Sequence, residues 1–276
     1  MVTSAAALGA LPAETHPALR TAATAALAAY GEARAGRSRA ELAETVADGA
    51  DGTPTMLVDV LVESAILTAL ADAEVNVLSE ETGFVDRRSA VTLVMDPLDG
   101  SANAAAGVPL TAFGGAVAVD GEFTEGLIVW LDTGRTWWAA RDRPTPLRTS
   151  GRKALSGAAV SLLRPRFDVP GAAEAWRAVA ERAGRVRILS SSCLEAALVA
   201  DGSTDAFADA GGDVHRLVDV AASVVLAEAA GGAVRDVRGR PIECDTDLTR
   251  RWSGVVAATP DLADEIAETV RAAAGL

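Results

Sequence analysis

Apolar positions recur at helical spacing over residues 17–35, with Leu19, Ala23, Leu27 and Tyr30 in phase, and predict a first helix. Residues 36–39 read as a loop. A second helix is predicted over 55–71, where Leu57, Val60, Leu61 and Leu67 fall on or near one face and Pro54 sits where a helix start tolerates it. Short apolar runs at 75–78 and 91–95 read as strands. The first enters Ser79-Glu80-Glu81-Thr82-Gly83, and the second is stopped by Asp96-Pro97-Leu98-Asp99-Gly100. Strands over 112–119, 126–131 and 136–140 are separated by Asp120-Gly121 and Asp132-Thr133-Gly134, both turn signals, and predict an antiparallel meander.

Residues 144–153 are basic and irregular, a loop or boundary. Beyond them, strands are predicted over 158–162, 186–189, 233–237 and 255–258. Helices are predicted over 172–183, 193–200, 218–230 and 262–273, the third of these ended by Gly231-Gly232. No internal repeat appears. The alternation gives an α/β or α+β fold with two sheets and a break near 145–155, hence an N-terminal part over 1–150 and a C-terminal part over 151–276.

Composition narrows the function. Of 276 residues, 50% are hydrophobic, enough for a large core. The formal charge of -13 disfavours nucleic-acid partners, because such a surface repels phosphate backbones. A phosphorylated substrate would then need cations at the site. Only Cys193 and Cys244 are present, in no metal-ligand or redox spacing, and only His16 and His215, so a His-rich metal site is excluded. No signal peptide and no membrane-spanning run is read, and the expected setting is cytoplasmic.

Acidic residues form the remaining pattern. Asp59 and Glu63 lie one turn apart on the second predicted helix, where a solvated face is the default reading. Glu80 and Glu81 follow a strand, where a polar loop would serve as well. Asp219 opens a helix and could be a cap. Asp96-Pro97-Leu98-Asp99-Gly100-Ser101 asks for more than a turn. Two carboxylates three residues apart can reach two hard cations, with the Leu98 carbonyl as a further oxygen ligand. Gly100 lets backbone approach a ligand, Ser101 adds a hydroxyl, and a helix starting there would present N–H groups to a phosphate.

These motifs resemble the inositol monophosphatase family of Mg²⁺-dependent, lithium-sensitive phosphomonoesterases. Its signature Asp-Pro-(Ile/Leu)-Asp-Gly-(Thr/Ser)-x-Asn matches Asp96 to Asn103, its Glu-Glu pair matches Glu80 and Glu81, and its Thr-x-x-x-Asp matches Thr55 to Asp59. Its Trp-Asp-x-Ala-Ala and Glu-Ala-Gly-Gly segments are similar to residues 218–222 and 228–232. The resemblance spans roughly residues 20–270 and implies a layered αβαβα sandwich. It implies metal ligation by Glu80, Asp96, the Leu98 carbonyl, Asp99 and Asp219. Asp59 would orient metal-bound water, and Ser101, paired with Glu80, would position the attacking water. Substrate contacts fall to Asp99, Gly100, Ser101, Ser190, Ser191, Ser192 and Asp209. Two or three Mg²⁺ ions are implied, with Mn²⁺ as a substitute and Li⁺ as an inhibitor, together with a homodimer acting on a small phosphate ester.

The chain departs from the family pattern at Ala104 (usually Phe), Val218 (usually Trp), Ser190 (usually Gly) and Ser101 (usually Thr), and residues 141–146 replace a Gly-rich segment. None removes a metal ligand. They leave open which ester is the substrate: an inositol phosphate, histidinol phosphate, fructose 1,6-bisphosphate, 3'-phosphoadenosine 5'-phosphate, or another biosynthetic sugar or nucleoside phosphate. A regulatory binding protein on the same fold is the rival from another class. The basic run from Arg141 to Lys153 could hold a second phosphate, against the plainer reading of a solvated loop. Trp130, Trp137 and Trp138 read as core or interface residues, and His215 as a loop residue without a special role.

Overall fold

The computed structural model describes residues 6–276. The first half runs α1 (Pro17–Gly36), α2 (Arg39–Leu42), β1 (Thr45–Asp48), β2 (Pro54–Met56), α3 (Leu57–Ala69), β3 (Asn76–Ser79), β4 (Gly83–Val85), β5 (Val91–Asp99), α4 (Ser101–Ala106), β6 (Ala112–Val119), β7 (Glu122–Trp130) and β8 (Arg135–Ala140). After an irregular connection come β9 (Ala159–Leu162), α5 (Ala172–Arg182), β10 (Arg185–Arg187), α6 (Ser192–Ala200), β11 (Ala206–Ala208), α7 (Leu217–Ala229), β12 (Ala233–Asp236), β13 (Gly254–Ala257) and α8 (Pro260–Ala274).

Five layers result, as the αβαβα expectation has it. A six-stranded sheet, order β4-β3-β5-β6-β7-β8, buries one face under α1 and α3, where Leu19, Tyr30, Val62 and Ile66 meet Leu93, Phe113 and Leu127. Its other face packs on α6 and α7 through Val94, Ile128, Trp137, Cys193, Val218 and Leu226. The far side of these two helices meets a five-stranded sheet, order β10-β9-β11-β13-β12, at Phe207 and Val256. The outer layer is α5 and α8, with Val179, Ile266 and Val270 against Val160 and Val255. The sequence of α7 follows from this placement: a helix covered on both sides is apolar nearly all round, and residues 217–227 are all buried.

Most predicted elements are found near their predicted bounds, the β6–β8 meander included. Two differences bear on the site. Residues Pro54–Met56 pair with Thr45–Asp48 as a hairpin, so α3 starts at Leu57 rather than at 55. The strand expected to stop at 95 continues to Asp99 through a bulge. Asp96 pairs with Gly114 and Asp99 with Ala112, so two residues on β5 oppose one on β6. Strand side chains alternate faces, which would point residues three apart in opposite directions. The extra residue cancels that, and Asp96 and Asp99 act on the same cluster.

Candidate active site

Asp59 occupies the first turn of α3, where its Oδ2 accepts from the Met56 N–H at 3.1 Å. One turn later Glu63 is also buried, so the solvated-face reading of this pair is wrong. The Glu63 carboxylate accepts from the Ser79 hydroxyl, the Glu81 and Thr82 N–H groups (3.2 and 3.1 Å) and the Thr82 hydroxyl (2.7 Å). It thereby fixes the turn that aims Glu80 and Glu81. Thr55 donates its hydroxyl to Glu81. β3 runs parallel to β5 with Ser79 opposite Met95, which sets Glu80 beside Asp96.

At the β5 bulge the Leu98 N–H donates to Asp96 Oδ1 at 3.0 Å. The Ser101 hydroxyl donates to the Leu98 carbonyl at 3.1 Å and also faces Asp59. These two are its hydrogen-bond partners, and Glu80 is bonded to Arg216. Gly100 has φ 88°, and a Cβ there would lie 2.8 Å from the Leu110 carbonyl, so glycine is required. Asn103 Nδ2 donates to the carbonyls of Leu110 and Leu189, both at 2.9 Å, and of Ser190 at 3.3 Å, tying the first signature to the loop before α6.

The N-terminus of α6 takes Asp99. Ser191 Oγ donates to Oδ2 at 2.5 Å, Cys193 N to Oδ2 at 2.8 Å and Ser192 N to Oδ1 at 3.2 Å. Ser190 stands at φ 59°, a left-handed conformation that explains why glycine is usual there. Asp209 lies apart from this group: its carboxylate accepts from Gly212 and Val214 N–H groups (3.0 and 3.2 Å) and organises its own loop.

α7 completes the cluster from the second half. Asp219 sits at its third position and accepts from the Arg216 N–H at 2.6 Å. The Arg216 guanidinium reaches Asp219 Oδ1 at 3.0 Å and Oδ2 at 3.3 Å, Glu80 Oε1 at 2.5 Å and Asp51 Oδ2 at 3.5 Å. Arg251 adds a second contact to Asp51 at 2.7 Å.

Electrostatics record a crowd of anions. Burial pushes the Glu80 carboxyl up to about 8, against the opposing charge of Arg216, with Asp219 and Glu81 adding to the rise. Burial and the charges of Glu80, Asp99 and Asp219 hold Asp96 well above the usual range. Asp99 is pushed up to about 6 by burial, held back by the Ser191 hydroxyl, and Glu81 to about 7 by burial. Asp219 alone among them falls below its ordinary value: burial raises it, but the charge and hydrogen bonds of Arg216 prevail. Among the described residues, no three His, Cys, Asp or Glu side chains stand as a ready-made metal-holding group. Arg216 and the α6 N-terminus take the carboxylate oxygens instead. The donor set is nonetheless all oxygen, buried and short of positive charge, which fits hard divalent cations.

A family model for the inositol monophosphatases matches residues 15–274. The chain belongs to that family. Like its relatives it is a phosphoric monoester hydrolase, of a family that depends on divalent metal. It is 33% identical over 250 residues to the fructose-1,6-bisphosphatase/inositol-1-monophosphatase of Methanothermobacter thermautotrophicus, covering 82% of this chain and 87% of that protein. A solved inositol monophosphatase-fructose 1,6 bisphosphatase superposes with TM-score 0.77 at 27% identity, covering 91% of this chain and 98% of the other. The extragenic suppressor protein suhB of Bartonella henselae shares the fold, with TM-score 0.77 at 23% identity over 92% and 97% of the two chains.

Two of the departures fall in the core: Ala104 is buried in the cluster beside α2 and α3, and Val218 lies between α7 and the six-stranded sheet. The basic run is largely paired within the chain, Arg141 with Glu122, Arg152 with Asp205 and Lys153 with Asp261. His215 is buried and accepts from the Gly254 N–H at 3.1 Å, so it is a structural residue rather than an idle one. Trp137 and Trp138 are core residues. Reading the sequence did not reveal Arg216, Asp51, Arg251 or Glu195. Arg216 carries no capping signal of its own, since a guanidinium cannot accept the N–H that a capping-box side chain takes. Among the described residues no helix is long and apolar enough to cross a membrane.

Proposed function

We propose that this family member hydrolyses a small phosphorylated polyol or sugar, an inositol monophosphate or fructose 1,6-bisphosphate in class, by in-line attack of water with Mg²⁺ as the ion. One observation carries the reading. Glu80, Asp96, Asp99 and Asp219 from both halves share one electrostatic cluster beside the Leu98 carbonyl, with Arg216, among the described residues, the one basic group bonded into it. The relative from Methanothermobacter is named for both substrates, which supports the class. Divalent cations bound at such a cluster neutralise a phosphate dianion and acidify water.

The chain's own groups then have the following tasks. The Gly100 and Ser101 N–H groups receive the phosphate. The Ser101 hydroxyl, held by the Leu98 carbonyl and facing Asp59, accepts and orients the incoming water, and Asp59 takes up its proton. Asp99, fixed by Ser191, stands at the substrate's edge beside Ser190 and Ser192. Residues 1–150 supply most of the carboxylates and 151–276 supply Asp219 and the α6 loop. The same reading has the enzyme as a cytoplasmic homodimer, which sedimentation equilibrium and cell fractionation test.

The deciding experiment is phosphate release from a panel with Mg²⁺ or with chelator: inositol 1-phosphate, fructose 1,6-bisphosphate, histidinol phosphate, 3'-phosphoadenosine 5'-phosphate and glycerol 2-phosphate. The expected result is Mg²⁺-dependent turnover favouring one polyol or sugar ester by about 100-fold, roughly 2.7 kcal/mol of discrimination. Turnover confined to the nucleotide, or absent throughout, sinks the reading.

A further inference from the structure

Arg216 stands where a helix least favours it. An N-cap position prefers Ser, Thr, Asp or Asn, and the positive end of the helix dipole repels a cation. Local rules broken without local compensation point to a functional constraint. The compensation here is wholly tertiary: Arg216 bridges Glu80 of the first half and Asp219 of the second, and extends to Asp51 in the turn between β1 and β2. It engages both Asp219 oxygens, and its side chain is only 16% exposed.

We propose that Arg216 is a resident cation that competes with a divalent metal ion for Glu80 and Asp219. The inference rests on the metal-dependent reading above. Its physical basis is a shared set of oxygens. A guanidinium already neutralises two of the proposed ligands, so a divalent ion entering between them must weaken those ion pairs. The metal-free protein is thereby spared an uncompensated buried charge cluster, at the expense of weaker metal binding. Asp51, held from its other side by Arg251, is the remaining anion in reach of Arg216 once Glu80 and Asp219 are engaged elsewhere. Occupancy of the metal site is in this way linked to the hairpin that carries Asp51.

The test measures metal, not turnover. Mn²⁺ binding to the chelator-treated protein, followed by equilibrium dialysis without substrate, is compared for the wild type, Arg216→Met, Arg216→Lys and Arg251→Met. Competition predicts that Arg216→Met binds Mn²⁺ at least about 10-fold more tightly, a change of about 1.4 kcal/mol. Arg216→Lys keeps the charge and stays within about 3-fold, while Arg251→Met, an equal loss of charge whose ion-pair partner is Asp51 rather than Glu80 or Asp219, also changes little. Unchanged or weaker binding by Arg216→Met overturns the proposal, as does equal tightening by Arg251→Met. Should Arg216→Met not fold without metal, the wild type supplies the answer. Its Arg216 Nε–H resonance, assigned by its loss in Arg216→Lys, must shift during a Mg²⁺ titration with the same midpoint as binding, and a resonance that stays put while Mg²⁺ binds refutes competition. A wild type that binds neither ion would instead remove the metal-dependent reading itself.

Discussion

Two helices of this enzyme open with the same four residues. α3 begins Leu57-Val58-Asp59-Val60 and α7 begins Leu217-Val218-Asp219-Val220. In both, the aspartate is the third residue of the helix, is 7% exposed, and accepts from the N–H of the residue at the N-cap. Yet burial holds the Asp59 carboxyl above its ordinary value, whereas Asp219 lies below it despite its own burial. The residue at the N-cap decides. Met56 offers only its backbone, while Arg216 adds a guanidinium to the same cap. An aspartate that stays ionised is suited to hold cations, and one biased toward the proton is suited to accept it from water. Identical local sequence thus yields two chemistries, set by one neighbour.

The widest separation between the two aspartates should appear in turnover. Asp219→Asn removes a proposed ligand charge and is expected to lower turnover by about 1000-fold or more, together with Mn²⁺ affinity. Asp59→Asn is expected to lower turnover by about 100-fold while leaving Mn²⁺ affinity nearly unchanged. Steady-state kinetics beside equilibrium dialysis separates the two outcomes. Equal loss of metal affinity in both variants would show that the helices are not distinguished in the way argued.

Stability gives a smaller contrast. Arg216→Met makes the α7 cap a copy of the α3 cap and leaves Glu80, Asp219 and Asp51 without their shared partner. Breaking a buried pair by removing one partner costs about 3 kcal/mol. Urea unfolding of the chelator-treated variant should therefore show that order of loss, and saturating Mg²⁺ should recover most of it, since ligand binding to the folded state stabilises. A variant as stable as the wild type without metal would mean that Arg216 is not the counter-charge of the cluster.

Most of the layered fold can be read from apolar periodicity, because the sheets and covering helices are long and bury one face or both. β1 has four exposed residues and α2 only four in all, so neither carries a pattern to read. The bulge at Asp96–Asp99 is invisible for a related reason: Pro97 and Gly100 signal a turn as readily as an irregular strand. At the site, the carboxylates announce themselves by their spacing and by family likeness. Their partners do not. Arg216, Asp51 and Arg251 meet across 200 residues or across 165, and Glu195 reaches back to the Leu189 N–H from inside a helix that looks merely apolar. Glu63 was in view but its burial was not, since one turn of separation fits a solvated face as well as the lining of a loop.

The smallest effect isolates the caps themselves, and its sign differs between the two helices. A carboxyl whose folded-state value is raised, as for Asp59, stabilises the metal-free protein fully below its unfolded value, near 3.8, and that contribution is lost as pH rises through the folded value. A carboxyl whose folded value is lowered, as for Asp219, contributes above its unfolded value, and the contribution is lost as pH falls through the folded one. In chelator, Asp59→Asn should therefore gain stability relative to the wild type as pH is raised from 4 toward 7, because it removes a carboxyl that resists ionisation. Asp219→Asn should be less stable than the wild type by a nearly constant amount over the same range, with the gap closing as pH falls below about 3.8, because it removes a carboxylate that Arg216 holds ionised. Melting temperatures of the three proteins from about pH 3 to 7, at one ionic strength and without metal, then give a difference from the wild type that grows with pH above about 4 for Asp59→Asn and one that changes only below about pH 4 for Asp219→Asn. Parallel curves would mean that Arg216 does not distinguish the two helix starts in solution, and that the difference between Asp59 and Asp219 arises only when metal is bound.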